Sequence, residues 1–478
     1  VDRGATALAD GADALTWAEV HDAVARLSGA IVAAGVAPGD RVAVHMRKSV
    51  WSFVTVHAVV RAGGVMVPLD PMAPPGAVRR VLAEASPTML VSDAPARVLA
   101  EVVADASVET LVRRGAPIDP VDGVRVIGWD DALGHEPAPP AEVGGAAAAY
   151  IIFTSGSTGR PKGIVHTHAS ALAYARRAAA TYGIGPSDVL ANIASLHFDQ
   201  STFELYAGPL AGAAVLVIPD AVLRFPASAI ELIERFGVTV VYTVPYVLRQ
   251  FVDRGALDQR DLSSVRWIKF GGEVYPPGEL AALRAAVPSA RLSNVYGPAE
   301  VNQCTHHHLA DGRQDAPVPI GRPWWGTDVR VCDRDGSVVA VGDPGELWVA
   351  TPTMMVGYWR RPALTAASVV ERDGRRWYRT GDLVRWSHGD LEFLGRNDHQ
   401  VKVRGQRVEI EAVEAALADV SGVVEAGVVA IDPGDAGTLD LVAAVIVDGD
   451  LDPVSVRAEL GRRLGPAAVP TRIVAVDR

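Results

Sequence analysis

Short runs rich in valine and isoleucine alternate with longer stretches rich in alanine, leucine and arginine, and this alternation limits the possible folds more than any other feature. Arg41–His45 reads as a strand, Trp51–Arg61 as a helix, Val65–Leu69 as a strand, and Pro74–Ala85 as a helix with proline in its first turn. The pattern returns at Ala213–Ile218, Ser228–Phe236, Val238–Tyr242, Pro277–Ala286 and Arg291–Val295. Strands separated by helices predict an α/β fold of parallel sheets with right-handed crossovers.

After about Val318 the texture changes to hairpin-like strands. Asp328–Cys332 is followed by a turn at Asp335-Gly336, then Gly345–Ala350, Trp377–Tyr378 and Leu391–Leu394, which reads as a β-rich subdomain. Beyond Gly395 a small α+β pattern follows: strand Gln400–Val403, helix Ile410–Ala418, strands Val424–Ile431 and Leu439–Val447, and helix Pro453–Leu464. At 478 residues the chain exceeds one ordinary core, so the reading is a large N-terminal part, 1–397, and a small C-terminal domain, 398–478. Pro137–Ala149, rich in alanine and proline, is a loop inside the large part.

Composition removes several classes of function. A net charge of -11 argues against a general nucleic-acid binder, because phosphate backbones require clustered lysine and arginine. Apolar runs are too short to span a bilayer, so no membrane partner is expected. With only Cys304 and Cys332, a disulfide scaffold is not expected and a cytoplasmic setting fits best.

The strongest chemical signal is Thr154-Ser155-Gly156-Ser157-Thr158-Gly159-Arg160-Pro161-Lys162-Gly163, directly after the apolar run Ala146–Phe153. Glycines let backbone N–H groups turn toward an anion, hydroxyls donate to phosphate oxygens, and Lys162 supplies charge. The bland reading is a flexible surface loop; its place after a buried-looking strand favours a phosphate cradle. A Walker loop is ruled out, since Gly-Lys-Ser/Thr is missing.

This segment resembles the phosphate-loop signature of the acyl-adenylate-forming superfamily, which includes acyl-CoA synthetases, luciferases and the adenylation domains of nonribosomal peptide synthesis. HFDQSTFE from His197, NVYGPAEVNQCT from Asn294, YRTGDL from Tyr378 and GRNDHQVKVRGQRVE from Gly395 resemble its further motifs, in the expected order and over most of the chain. The resemblance implies ATP and Mg²⁺ as cofactors. It implies catalytic roles for Thr154, Ser155, Lys162 and Glu300, with Glu300 also the Mg²⁺ carboxylate. It places Gly156, Ser157, Thr158, Gly159, Gly271, Gly272, Glu273 and Gly297 at the nucleotide, with Asn294 and Tyr296 at adenine and Asp382 and Arg396 at ribose. Asp398 matches the hinge about which the small domain rotates between adenylation and thioester formation. Lys402, Arg404, Gly405 and Arg407 then lie against the site in the thioester-forming state, Gly405 leaving room for a pantetheine arm.

Two positions depart from the family pattern. Ala299 stands where a threonine is usual, removing a hydroxyl near the α-phosphate. The family's terminal catalytic lysine has no counterpart after Lys402, so the sequence is expected to stop short of that motif.

Within the family, an aspartate at the position of Asp199 pairs with a substrate ammonium, which points to an amino acid; helix capping is the plainer reading of that residue. By the same resemblance His197, Gln200, Phe203, Thr243, Ile268, Phe270, Val295, Gln303 and Cys304 line the substrate pocket. That lining is mostly apolar, so a small or medium neutral amino acid, α or β, is expected, and charged side chains are disfavoured. The activated acid would pass to the phosphopantetheine thiol of a carrier protein. An acyl- or aryl-CoA ligase and a nucleotide-binding protein without turnover stay open. His306-His307-His308 read as a polar strand or loop rather than a metal site, and Cys304 as lining rather than a nucleophile.

Overall fold

The computed structural model describes residues 2–104, 107–154, 160–310, 312, 316–397, 400–403, 406–431, 439–448 and 451–476. Among these, two large, mainly parallel sheets carry helices on their faces. The first has nine strands in the order Arg322–Pro323, Thr305–His308, Arg291–Tyr296, Trp267–Gly271, Val240–Thr243, Val189–Asn192, Ala214–Val217, Thr6–Ala9 and Ala14–Thr16. The second has eight: Gly357–Tyr358, Lys162–Thr167, Ala148–Thr154, Val65–Pro68, Arg41–His45, Met89–Ser92, Thr110–Arg113 and Arg125–Gly128.

An antiparallel five-stranded sheet follows, in which Arg375–Ser387 pairs with Gly345–Ala350, Val369–Arg372 and Asp390–Arg396. A two-stranded hairpin, Gln400–Val403 with Gln406–Glu409, precedes the three-stranded sheet of Val423–Ile431, Asp440–Val447 and Arg472–Ala475. The predicted α/β class, the β-rich portion and the small α+β portion are all present.

Local chemistry accounts for the boundaries. Thr16, Ser49 and Thr167 each close a reciprocal capping box at the start of the helices Trp17–Ala33, Val50–Arg61 and His168–Tyr182, each cap contributing about 1 kcal/mol. Proline in the first turn starts Pro75–Ala85 and Pro277–Ala286.

The strand Trp267–Gly271 is buried on both faces, and its alternation separates two environments. Ile268 and Phe270 enter the helix-covered core with Ile230, Leu248, Phe251 and Leu280. Trp267 faces the other way, toward Tyr182, Phe203, Tyr242 and Val295. The C-terminal ends of these strands open toward the 400–409 hairpin, and the candidate site lies there.

Candidate functional site

Thr154 ends one strand and pairs in register with Lys162, which begins the next; Ser155, Gly156, Ser157, Thr158 and Gly159 lie outside the described residues. Among the described residues the buried Thr154 hydroxyl has no hydrogen-bond partner, so it is a donor available to an incoming oxygen. Lys162 Nζ stands 3.5 Å from Glu409 Oε1 and 5.6 Å from the centre of the Tyr358 ring.

Glu300 is fully buried, and Arg407 Nη1 donates to its two oxygens at 3.2 and 3.3 Å, while the Tyr358 hydroxyl donates at 2.8 Å. Burial alone pushes this carboxyl up. The Arg407 guanidinium, the Lys162 ammonium and the Tyr358 hydroxyl more than reverse that, holding it at about 2. In this arrangement Glu300 is therefore an ionised hard oxygen donor, the kind of group that suits Mg²⁺.

A second carboxylate, Asp382, is buried beside this network. Arg396 Nη1 donates to its Oδ1 at 2.5 Å, and the Tyr296 hydroxyl donates to its Oδ2. Asn294 donates its amide to the Pro319 carbonyl at 2.8 Å, which leaves its oxygen for another donor. Backbone room around these groups is bought with glycine: a Cβ on Gly297 would lie 1.6 Å from the Asn302 carbonyl oxygen, and Gly272 has φ +94. Glu273 caps the Pro245–Arg254 helix, accepting from the Tyr246 N–H at 3.2 Å.

Asp199 begins a 3-10 turn, Asp199–Ser201, that leads into a π-helical turn, Phe203–Ala207. Such turns recur at functional sites because they break the regular ladder. Burial raises the Asp199 carboxyl to about 6, against the pull of Lys402 and with a further push from Glu300. Lys402, on the 400–409 hairpin, lies open to solvent and within electrostatic reach of Asp382, Asp199 and Glu273. The His197 ring packs tilted against Phe198, centroids 4.2 Å apart, with its Nε2 3.9 Å from Asp70.

The structure revises the expected pocket wall. Phe203 and Val295 share a buried cluster, and Gln303 and Cys304 are buried beside Tyr296, whose carbonyl accepts from Cys304. Gln200 is half-buried next to Asp199. Ile268 and Phe270, expected in the same lining, point to the opposite face of their strand and pack among the helices. Thr243 pairs in register with Phe270 and so belongs to that far row. The residues that face Phe203 are Tyr242 and Lys269, which the sequence reading had placed out of phase by one. Lys269 puts a charged group on the face turned toward Phe203.

Burial raises the Cys304 thiol well above its ordinary value, which leaves it no thiolate for nucleophilic work. The three histidines form the strand Thr305–His308; His308 Nδ1 is 3.1 Å from Ser293 Oγ and His307 Nδ1 is 3.3 Å from Asp390. Three partners of the site went unnoticed in the sequence: Tyr358 and the hairpin residue Glu409, both against Lys162, and Tyr242. Asp398, Arg404 and Gly405 lie outside the described residues.

The pattern of one enzyme family, "AMP-binding enzyme", matches residues 2–359. The chain belongs to the AMP-binding enzyme family. It is 36% identical to an L-proline--[L-prolyl-carrier protein] ligase of Streptomyces coelicolor over 98% of this chain and 90% of that protein. A Pseudomonas fluorescens ligase of the same name is 33% identical, covering 99% and 92%. Among solved structures, the amide bond synthetase McbA from Marinactinospora thermotolerans superposes with a TM-score of 0.87 at 30% identity, covering 99% of this chain and 93% of that one. This AMP-binding enzyme has, among its described residues, no helix long and apolar enough to cross a membrane.

Proposed function

We propose that this enzyme uses ATP and Mg²⁺ to adenylate an amino acid, releases pyrophosphate, and passes the acyl group to the phosphopantetheine thiol of a carrier protein. One observation carries the reading: the charges of Asp382 and Asp199 both act on Lys402, so the carboxylate suited to a substrate ammonium and the one suited to ribose lie near one residue of the 400–409 hairpin. The relatives named above, amino acid–carrier protein ligases, support the same reaction class.

In this reading Thr154, Lys162 and the 155–159 loop hold the triphosphate. Tyr296 and Asn294, with Gly271, Gly272, Glu273 and Gly297, form the adenine side, and Asp382 with Arg396 takes the ribose hydroxyls. Mg²⁺ on Glu300 would neutralise phosphate charge during the displacement. Asp199 fixes the substrate ammonium, which leaves the substrate carboxylate to attack the α-phosphorus in line while pyrophosphate departs. The acceleration comes from positioning and charge neutralisation, without a protein nucleophile.

Arg407 occupies the Glu300 carboxylate in this arrangement, and Arg396 and Tyr296 occupy both Asp382 oxygens. Adenylation therefore requires the 400–409 hairpin to withdraw. We assign the two parts 1–397 and 398–478 to this motion, with Asp398 as the hinge and the described geometry as the thioester-forming state.

The test is pyrophosphate exchange driven by amino acids, followed by loading of a phosphopantetheinylated carrier. Exchange with amino acids is expected. Exchange driven only by fatty or aryl acids would make it a CoA ligase, and ATP binding without acyl-AMP would make it a nucleotide sensor.

A further inference from the structure

The row of side chains that crosses the nine-stranded sheet beneath Phe203 is polar. In register, Asn192 stands beside Tyr242, Tyr242 beside Lys269, Lys269 beside Ser293, and Ser293 beside His308. All but the half-buried His308 are buried. A sheet row covered by a helix is ordinarily apolar, since each buried polar group has to be satisfied.

Lys269 is the exceptional member. It is completely buried, and its Nζ has no hydrogen-bond or ion-pair partner among the described residues. It sits in a three-sided aromatic box, 3.4 Å from the centre of Phe203 and 4.3 Å from the centres of Tyr182 and Tyr242. The one carboxylate in its neighbourhood, Glu204, accepts from Asn192 at 3.2 Å and lies beyond ion-pair distance. Aromatic faces stabilise a cation but do not hydrogen-bond its three donors.

Two walls of that box belong to the substrate side. Phe203 shares its cluster with Val295, and Tyr242 is close enough to Asp199 for the carboxylate to perturb its hydroxyl, which lies against the Gln303 amide. The ammonium site proposed at Asp199 and the Lys269 ammonium are thus both near one tyrosine side chain.

We propose that Lys269 is the specificity-determining residue of this pocket and that the amino acid activated here carries a second carboxylate, which pairs with the Lys269 ammonium while its amine pairs with Asp199. The substrate class is a short dicarboxylic amino acid, aspartate- or glutamate-like, with the amine α or β to the reacting carboxyl. This rests on the adenylation reading above and replaces the neutral amino acid expected from the sequence. A substrate carboxylate supplies what the box lacks, an acceptor for the donors and a countercharge. A neutral substrate leaves that charge buried and unpaired, which is the mechanism of its rejection.

The experiment is amino-acid-dependent pyrophosphate exchange with the full chain. Its panel is aspartate, glutamate, 3-aminopentanedioate, asparagine, glutamine, proline, alanine and leucine, each with wild type, Lys269→Met and Lys269→Arg. Wild type is expected to prefer a dicarboxylic substrate over its own amide by about 100-fold or more in kcat/KM, as a pocket built to pair a buried polar group rejects the analogue lacking its partner. Lys269→Met is expected to lose that preference and to gain activity on neutral amino acids, while Lys269→Arg retains part of it. Thermal unfolding and circular dichroism check that each variant folds, and if Lys269→Met does not, the wild-type panel and Lys269→Arg decide. A neutral amino acid as the best wild-type substrate would overturn the proposal, as would an unchanged substrate order in Lys269→Met, which is what a purely structural lysine predicts. Exchange with no amino acid at all would instead remove the adenylation reading on which it stands.

Discussion

Replacing Asp199 by asparagine separates substrate recognition from fold more cleanly than any other change at this site. The two side chains have nearly the same shape, so what is removed is a charge. Burial raises the Asp199 carboxyl to about 6. An amino-acid ammonium binds the ionised form, and kcat/KM reports the free enzyme, so activity rises with pH through that value and levels above it. A group titrating near 6 is about nine-tenths ionised at pH 7 and about a tenth at pH 5, an acid limb of about tenfold. Losing one partner of a desolvated pair costs about 3–5 kcal/mol, so Asp199→Asn is expected to lower kcat/KM by about 10²–10³-fold and to abolish the limb.

Stability moves the other way. A carboxyl whose folded value lies above its unfolded value is harder to ionise in the native state, so its destabilising effect grows as pH rises from about 4 to about 6 and is complete above that. Asparagine removes this cost, and with Asp199 only half-buried the gain at pH 7 is on the order of 1–2 kcal/mol after screening. Pyrophosphate exchange and thermal unfolding, both measured from pH 5 to 8, check the pair of effects. An acid limb that persists unchanged in Asp199→Asn, or a variant as active as wild type, would refute this placement of the substrate amine.

Three further outcomes follow from the geometry. Arg407→Ala removes the guanidinium from Glu300; carrier loading should fall about 10–100-fold while pyrophosphate exchange changes little, because the hairpin is withdrawn during adenylation. Quench-flow measurement of the two half-reactions checks it, and equal loss in both contradicts the alternation. Asp382→Asn leaves Arg396 and Tyr296 without their carboxylate; KM for ATP should rise about 10–100-fold with an unchanged circular dichroism spectrum, since a bidentate, charge-assisted contact is lost. Gly297→Ala places a Cβ 1.6 Å from the Asn302 carbonyl oxygen; a cost of about 1–3 kcal/mol or more is expected as a lowered thermal midpoint, together with weaker ATP binding.

The fold was largely legible because period and punctuation agree. Valine-rich runs end at glycine or proline, and helices begin at Thr16, Ser49, Thr167 or a first-turn proline, so element type followed from local chemistry. The motif residues Lys162, Glu300, Asp382 and Asp199 were singled out for a different reason, their resemblance to the family's motifs, and the structure sets Lys162 and Asp382 on strands, Asp199 on a 3-10 turn and Glu300 in a turn. The phase of a strand buried on both faces was not legible. In Trp267–Gly271 every position is buried, so hydrophobicity carries no alternation, and a one-residue slip exchanges the two faces. Lys269 was the available cue. A single ammonium inside such a run marks the face that offers it a partner, and reading it would have put Tyr242 and Lys269 in the wall instead of Thr243, Ile268 and Phe270. Tyr358 was hidden because its partner Glu300 lies 58 positions away in sequence, across two different sheets.

The same buried carboxylates say why the proposed reaction needs two arrangements and not one. Glu300 is held ionised in this arrangement, because a buried anion of this kind is stable only with a countercharge in contact. Here that countercharge is Arg407, supplied by the 400–409 hairpin; during adenylation a metal with its nucleotide would take the same place. Cation and hairpin would therefore compete for one site, and without that cation Glu300, left with Lys162 and Tyr358, would favour the return of Arg407. The hairpin that returns brings Lys402 toward Asp199 and Asp382. In the proposed reaction, loss of the first product would thus favour assembly of the second geometry through charge, with the fold providing the path.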